Sequence, residues 1–251
     1  MTNEIKKWWN DNSIKYQEDS NIPICSVHYG PYAPNESQLR LLGNVNRKRV
    51  LEIGCGGGQC SIALAKQGAK CIGLDISVEQ LKFAIKLAER ENVRIKFIQG
   101  SFQNLKRINS TSQDIVFSAF ALQYALNLNR VFSEVYRVLR KNGIFAFSLD
   151  HPFYNIFDVE APRISNGYFR IKQSYFKTGK FVNDWPDSSK RKFVIYKRKV
   201  SDLYNGLVSV GFFVEQIIEP FDSKQTLWKE IFPFDLCRLV GPTIIFKSKK
   251  I

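Results

Sequence analysis

Five short runs rich in Val, Ile and Phe recur between Arg49 and Asp150: "RVLEIG", "KCIGLD", "RIKFIQ", "QDIVFSAF" and "GIFAFSLD". Most are separated by segments with helical spacing of apolar residues, among them "SIALAKQG", "SVEQLKFAIKLAEREN" and "NRVFSEVYRVLRKNG". Strand, helix, strand repetition predicts an α/β fold, a doubly wound and mostly parallel sheet with helices on both faces. "SDLYNGLVSVGFFVEQIIEPF" adds a helix and a strand, and "PTIIFKSKK" a last strand, for seven strands in all. Ser77 with Gln80 matches a capping box at the start of the second helix, and Gly143 stands where a left-handed C-terminal cap would close a later one.

Four segments follow. Residues 1–48 hold amphipathic and aromatic pieces ("IKKWWNDNSIKYQ") and a Pro-Gly stretch ("HYGPYAPNESQLRLL") read as a loop entering a helix. Residues 49–150 are the alternating core. In 151–199 the alternation lapses, and "GYFRIKQSYFKTGKFVNDW" reads as a β-rich insertion after the fifth strand, turning at Thr178-Gly179. Residues 200–251 supply the last helix and strands.

Composition excludes several classes. The chain has 251 residues, 44% of them hydrophobic, which suffices for a sizeable core. No run approaches the roughly 18–20 apolar residues of a membrane span, and "MTNEIKKWWNDNS" lacks the apolar centre of a signal peptide, so a cytoplasmic location is expected. Cys25, Cys55, Cys60, Cys71 and Cys237 are odd in number and show no disulfide spacing, so they read as reduced thiols. With His28 and His151 as the only histidines, no metal site is expected. The net charge is +14, and residues 151–200 hold 11 basic against 4 acidic side chains, half of the excess. Such a surface is either a solvated lysine bias or a place that meets an anionic partner.

The first strand runs into "VLEIGCGGGQC". Glycines between a strand and a helix let a ligand approach the backbone and face the helix amides. A triphosphate loop needs Lys-Ser or Lys-Thr after its last glycine, and a dinucleotide loop needs G-x-G-x-x-G; Gly54, Gly56 and Gly58, followed by Gln59, give neither. What stands here is Glu52-x-Gly54-x-Gly56-x-Gly58, with an acid suited to a cationic ligand. Asp75 follows about 20 residues on, where a carboxylate accepts from ribose hydroxyls. The bland alternatives are helix caps at Glu52 and Asp75 and close packing at the glycines.

This ordered set resembles the class I S-adenosylmethionine-dependent methyltransferases over roughly residues 45–150. The resemblance implies a Rossmann-like methyltransferase fold, S-adenosylmethionine as cofactor, and a glycine loop beneath its methionyl part. It implies cofactor contacts at Glu52, Gly54, Gly56, Gly58, Asp75 and Gln80, with Ile76 against adenine. In "QGSF" the family's Asp is replaced by Ser101, which leaves adenine recognition to Ser101 and the Phe102 backbone. "DIVFSAFALQY" matches the fourth strand and the turn passing the cofactor, which brings in Ala119 and makes Tyr124 a catalytic candidate. An N-terminal Tyr near the methionyl end is expected to be Tyr16 or Tyr29.

Displacement at a sulfonium is mainly a matter of positioning, and a base is needed only for some acceptors. His151, at the carboxyl edge of the sheet, is a candidate base or a turn residue before Pro152. Trp8, Trp9, Tyr16, Tyr29 and Tyr32, with Tyr154, Tyr168, Phe169, Tyr175 and Trp185, are candidates for an N-terminal lid and an acceptor pocket. A small-molecule acceptor is expected, anionic if the basic insertion covers the site. RNA is the less favoured alternative, since Ser118-Ala119-Phe120-Ala121 stands where the adenine and glutamine amino methyltransferases carry an N-P-P-Y-type tetrapeptide. A non-catalytic cofactor-binding module is the third. Oligomeric state is not specified by the pattern.

Overall fold

A computed structural model describes residues 3–158, 169–184, 192–225, 228 and 231–251. Strands β1 (Arg49–Ile53), β2 (Lys70–Asp75), β3 (Lys96–Gln99), β4 (Gln113–Ser118), β5 (Leu139–Asp150), β8 (Phe212–Ile218) and β9 (Thr243–Lys250) form one seven-stranded sheet in the order β3-β2-β1-β4-β5-β9-β8. Strands β6 (Gly179–Asp184) and β7 (Lys192–Lys197) pair separately as an antiparallel ribbon. The first five strands are parallel, and β9 runs antiparallel between β5 and β8. Strand order therefore reverses beside β1, where the chain leaves in one direction to β2 and in the other to β4. Doubly wound sheets bind ligands at such a reversal, outside the carboxyl ends of the strands.

The central strands are covered on both faces, which their unbroken apolar runs require. Val50, Leu51 and Ile53 of β1 are buried, and the Ser118 hydroxyl donates to the Ile53 carbonyl at 2.8 Å. Helix α5 (Leu128–Val138) buries Leu128, Val131, Phe132, Val135 and Val138, the i, i+3, i+4 stripe of an amphipathic helix, and Asn127 caps it by accepting from Arg130 N at 3.0 Å. Phe147 of β5 and Phe246 of β9 are register partners whose rings stack at 5.2 Å.

Helix α1 (Asn3–Ser20) lies across the carboxyl edge; helix α2 (Glu36–Leu39) is a single turn. Helices α3 (Gln59–Lys66) and α4 (Val78–Arg90) follow β1 and β2, α6 (Val200–Val210) precedes β8, and α7 (Phe234–Cys237) precedes β9. The Asn10 side chain of α1 accepts from Ser77 Oγ at 2.8 Å and from Val78 N at 3.1 Å, which seats α1 on the start of α4.

Three local expectations are corrected. Ser77 does cap α4, accepting from Gln80 N at 3.2 Å, but the Gln80 side chain turns to Gln17 instead of back to the cap. Helix α5 stops at Val138 with Leu139 extended, and the left-handed residue is Asn142 (φ 62°); Gly143 is required because a Cβ there would meet Arg140 O and Leu139 Cδ2 at 2.9 Å. The ribbon pairs Gly179–Asp184 with Lys192–Lys197, so Thr178-Gly179 stands at its start and is not its turn. "KFVIYK" provides the partner, a strand buried on both faces at Val194, Ile195 and Tyr196. Tyr168 and Trp185 lie outside the described residues.

Candidate active site

The carboxyl ends of β1, β2, β4 and β5 bring four pieces of sequence to one edge. Gly54 and Gly56 follow β1 with φ of 73° and 50°, conformations that glycine adopts without strain. A Cβ on Gly54 would stand 2.6 Å from Ala121 Cβ, so the chain after β4 passes directly against the loop. Asp75 ends β2. Its Oδ2 accepts from Gly56 N at 2.9 Å and its Oδ1 from Ser77 N at 2.8 Å, which fixes the carboxylate between the glycine loop and α4. Burial raises its carboxyl above the ordinary value, against the lowering effect of those backbone donors.

Around these groups lies a small cleft of about 70 Å3, walled by Trp9, Tyr16, Gly54, Gly56, Asp75, Ile76, Gln80, Phe102, Ala119, Phe120, Ala121 and Tyr124. A second cavity of about 350 Å3 shares Trp9, Tyr16, Phe120 and Tyr124 with it. It extends to Asp150, Tyr154, Asn155, Lys172, Phe193, Ile195, Lys197 and Phe232, beneath the β6–β7 ribbon. The shared wall is an aromatic ladder: Trp9 meets Tyr16 edge-on at 5.0 Å and Tyr124 at 5.5 Å. Burial pushes the Tyr16 phenol up to about 12 and that of Tyr124 higher still, so both are neutral hydroxyls at physiological pH. Phe120 holds the left-handed φ of 50° that few bulky residues adopt, with its amide tied to Ser148 O at 3.1 Å and its ring stacked on Trp228 at 5.8 Å.

Residues 51–147 match the model of the methyltransferase domain family. The chain is 28% identical to an uncharacterized protein of Haemophilus influenzae over all of this chain and 99% of that one. It is 29% identical to the uncharacterized methyltransferase YbaJ of Bacillus subtilis over 68% of each. Among solved structures, the fold is shared with an S-adenosylmethionine-dependent methyltransferase of Mesorhizobium loti: TM-score 0.69, 24% identity, 85% of this chain and 96% of that one. Residues 51–147 are thus a methyltransferase domain, in a fold shared with S-adenosylmethionine-dependent methyltransferases.

These likenesses imply S-adenosylmethionine as the cofactor. The cleft fits it chemically. Gly54 and Gly56 leave a cradle that side chains would fill, Asp75 offers a charged acceptor, and Gln80 Nε2 is a buried donor with no protein partner. Tyr16, Gly54, Gly56, Asp75, Ile76, Gln80, Phe102 and Ala119 are thus brought together.

Other sequence candidates fall elsewhere. Glu52 lies beneath the loop at 3% exposure, accepting from Ser61 Oγ at 2.5 Å; burial pushes its carboxyl up to about 8, so it supports α3 and does not face the cleft. Gly58 is the N-cap of α3. Tyr29 is a core residue, its hydroxyl donating to Glu36 Oε2 at 2.5 Å and its ring against Phe117. Ser101 Oγ accepts from Gln103 N at 3.2 Å in a local turn outside the cleft wall, and the Phe102 ring takes the lining position. His151 is turned from both cavities. Its Nδ1 accepts from Phe153 N at 3.0 Å and its Nε2 meets Glu219 Oε1 at 2.8 Å, so neither ring nitrogen is open to an acceptor. Of the remaining aromatics, Trp9 and Tyr154 line the larger cavity. Trp8 packs toward Phe193, Tyr32 against Phe221, and Phe169 against the Tyr32 and Tyr154 cluster; the Tyr175 hydroxyl accepts from Val200 N at 2.9 Å.

Asp150, Asn155, Lys172, Lys197 and Gln17 were not singled out from the sequence. Asp150 is adjacent to His151, and strand alternation alone would have sent the two side chains opposite ways. Gln17 accepts from Gln59 Nε2 and donates to Gln80 Oε1, both at 2.6 Å, joining α1, α3 and α4 over the glycine loop. Nothing in the sequence marks three glutamines so far apart as neighbours.

Proposed function

We propose that this methyltransferase moves a methyl group from S-adenosylmethionine to a small anionic molecule held in the larger cavity. One observation carries the reading: two cavities share one aromatic wall, the smaller lined by cofactor chemistry and the larger enclosed by α1 and the β6–β7 ribbon. Its volume of about 350 Å3 suits a metabolite. The N-terminal segment 1–48 and the segment 151–199 then form the acceptor side of a cofactor-binding core, 49–150, whose sheet 200–251 completes.

S-adenosylmethionine supplies an electrophilic methyl carbon on a sulfonium. When bound, it would supply that carbon to a lone pair of the acceptor, the electrons of the C–S bond remaining on sulfur. The chain's own contribution is placement. Asp75 receives the ribose hydroxyls, the loop amides and Gln80 Nε2 hold the methionyl and adjoining parts, and Ile76 and Phe102 flank adenine. Tyr16 and Tyr124, neutral hydroxyls in the shared wall, orient the two reactants, and such orientation is worth about 7–11 kcal/mol of barrier. Asp150 is the carboxylate in reach of a proton that the acceptor gives up. The excess of Lys and Arg in 151–200 favours an anion by steering. Among the described residues no helix is long and apolar enough to cross a membrane, and a cytoplasmic metabolite is the proposed substrate.

Calorimetry with S-adenosylhomocysteine, NAD and ATP tests the cofactor side, with the first expected to bind at least about tenfold more tightly than the others. Incubation with methyl-labelled cofactor and a fractionated metabolite extract tests the acceptor side. Label confined to macromolecules would reject the reading.

A further inference from the structure

The larger cavity is electrically lopsided. Lys197, at the end of β7, is only 8% exposed, yet among the described residues no carboxylate lies within 4 Å of its ammonium. Its Nζ donates to the Asn155 carbonyl at 3.3 Å and sits 4.3 Å over the Phe181 ring. Lys177 lies 5.6 Å over the same ring, and Lys172 lines the cavity. None of the described acids on the wall pairs with this group directly, and Asp150 acts on it only through space, across Asn155. Asp184 is paired with Lys192 at 2.6 Å, and Asp150 accepts from the Asn155 side-chain amide. Asn155 thus stands between Asp150 and Lys197, giving its amide to one and its carbonyl to the other. Burial, with Lys172 and Lys177 nearby, pushes the Lys197 ammonium down to about 8 despite Asp150. A buried cation without a counter-ion is costly, and an anionic ligand relieves that cost.

The lysines are also at one end. Lys172 and Lys197 line the larger cavity and not the cofactor cleft, whereas Trp9, Tyr16, Phe120 and Tyr124 line both. The rest of the wall includes the apolar Phe193, Ile195 and Phe232 beside the polar Gln123, Asp150 and Asn183. We propose that the acceptor is an aromatic or otherwise apolar monoanion whose charged group is anchored at Lys197 and Lys172, leaving the opposite end of the molecule against Tyr124. The anion is therefore a handle and not the atom that is methylated. This rests on the reading that the larger cavity holds the acceptor.

The test is calorimetry on the full chain saturated with S-adenosylhomocysteine, using benzoate, phenyl phosphate and the neutral benzamide as probes. At least one anion should bind, and benzamide should be weaker by at least about tenfold. The tighter of benzoate and phenyl phosphate identifies the headgroup as carboxylate or phosphate. Lys197→Met should weaken the anion at least about tenfold and leave benzamide and S-adenosylhomocysteine unchanged; the exposed Lys172→Ala should give a several-fold loss with no cost to folding. Benzamide equal to benzoate, neither anion binding by about 10 mM, or anion affinity untouched by both substitutions would each overturn the inference. Failure of S-adenosylhomocysteine itself to bind would instead reject the cofactor cleft, and so the function proposed above.

Discussion

Asp75 holds two backbone amides, one from the glycine loop and one from the start of α4, so its removal tests binding and cap together. Asp75→Ala should weaken S-adenosylhomocysteine by roughly 1.5–3 kcal/mol, the worth of hydrogen bonds to a charged group, with a smaller change in melting temperature. Calorimetry that finds affinity unchanged would reduce Asp75 to a turn residue. Glu52 makes a different prediction. Its native carboxyl titrates near 8 against an ordinary 4.5, so between those values the folded state holds a proton that the unfolded state has lost. Stability therefore falls as pH rises through that window, by on the order of a few kcal/mol, and is level above it. Glu52→Gln should flatten this slope in melting curves taken from pH 5 to 9, and parallel curves for the two proteins would contradict it. His151→Ala should cost no more than about tenfold in turnover and leave the shape of the pH profile intact, because both ring nitrogens are already bonded away from the cavities. A loss of about 100-fold or more with a vanished basic limb would restore His151 as the base.

Helix α1 is held over the site by a few polar contacts as well as packing. Gln17 bridges Gln59 and Gln80, Asn10 accepts from Ser77 Oγ and Val78 N at the start of α4, and Glu4 pairs with Lys180 of the ribbon at 2.9 Å. A Cβ on Gly57 would stand 2.6 Å from both Gln17 side-chain heteroatoms. Gly57→Ala should therefore displace the amide network and cost about 1–3 kcal/mol. Hydrogen exchange should show faster opening of residues 3–20, with Gln17→Ala in the same background recovering much of the loss; unchanged protection of α1 would show that the network does not hold it. The core elements were legible because their periodicity reports burial directly: β1 is buried on both faces, and α5 buries one stripe. The ribbon was misread because its strands are held by a register that only the partner "KFVIYK" sets.

At the scale of the molecule, net charge and enclosure pull apart. A charge of +14 predicts salt-dependent attraction to any polyanion. The larger cavity, lined by residues of α1 and the ribbon, has a volume of about 350 Å3, which suits the proposed small acceptor. Bulk tRNA should bind weakly, lose that binding by about 200 mM salt, and take no label from methyl-labelled cofactor. Label in tRNA under those conditions would move the acceptor to RNA.

What the sequence by itself determined is the frame: five parallel strands in alternation with helices, a loop of glycines after the first, and Asp75 about 20 residues later. Those features are local, since apolar spacing, glycine φ preference and a carboxylate at a strand end need no distant partner. What only the tertiary structure decided is which side chains face the two cavities. Glu52 and Asp75 are both acids at the ends of neighbouring strands, yet one lies beneath the loop on Ser61 and the other at the cleft. Asp150 and His151 are adjacent, yet the first lines the larger cavity and the second is bonded to Phe153 and Glu219. Tyr16 and Tyr29 divide in the same way, into cavity wall and core. Facing depends on contacts made by segments tens to hundreds of residues away, and no local pattern carries that information.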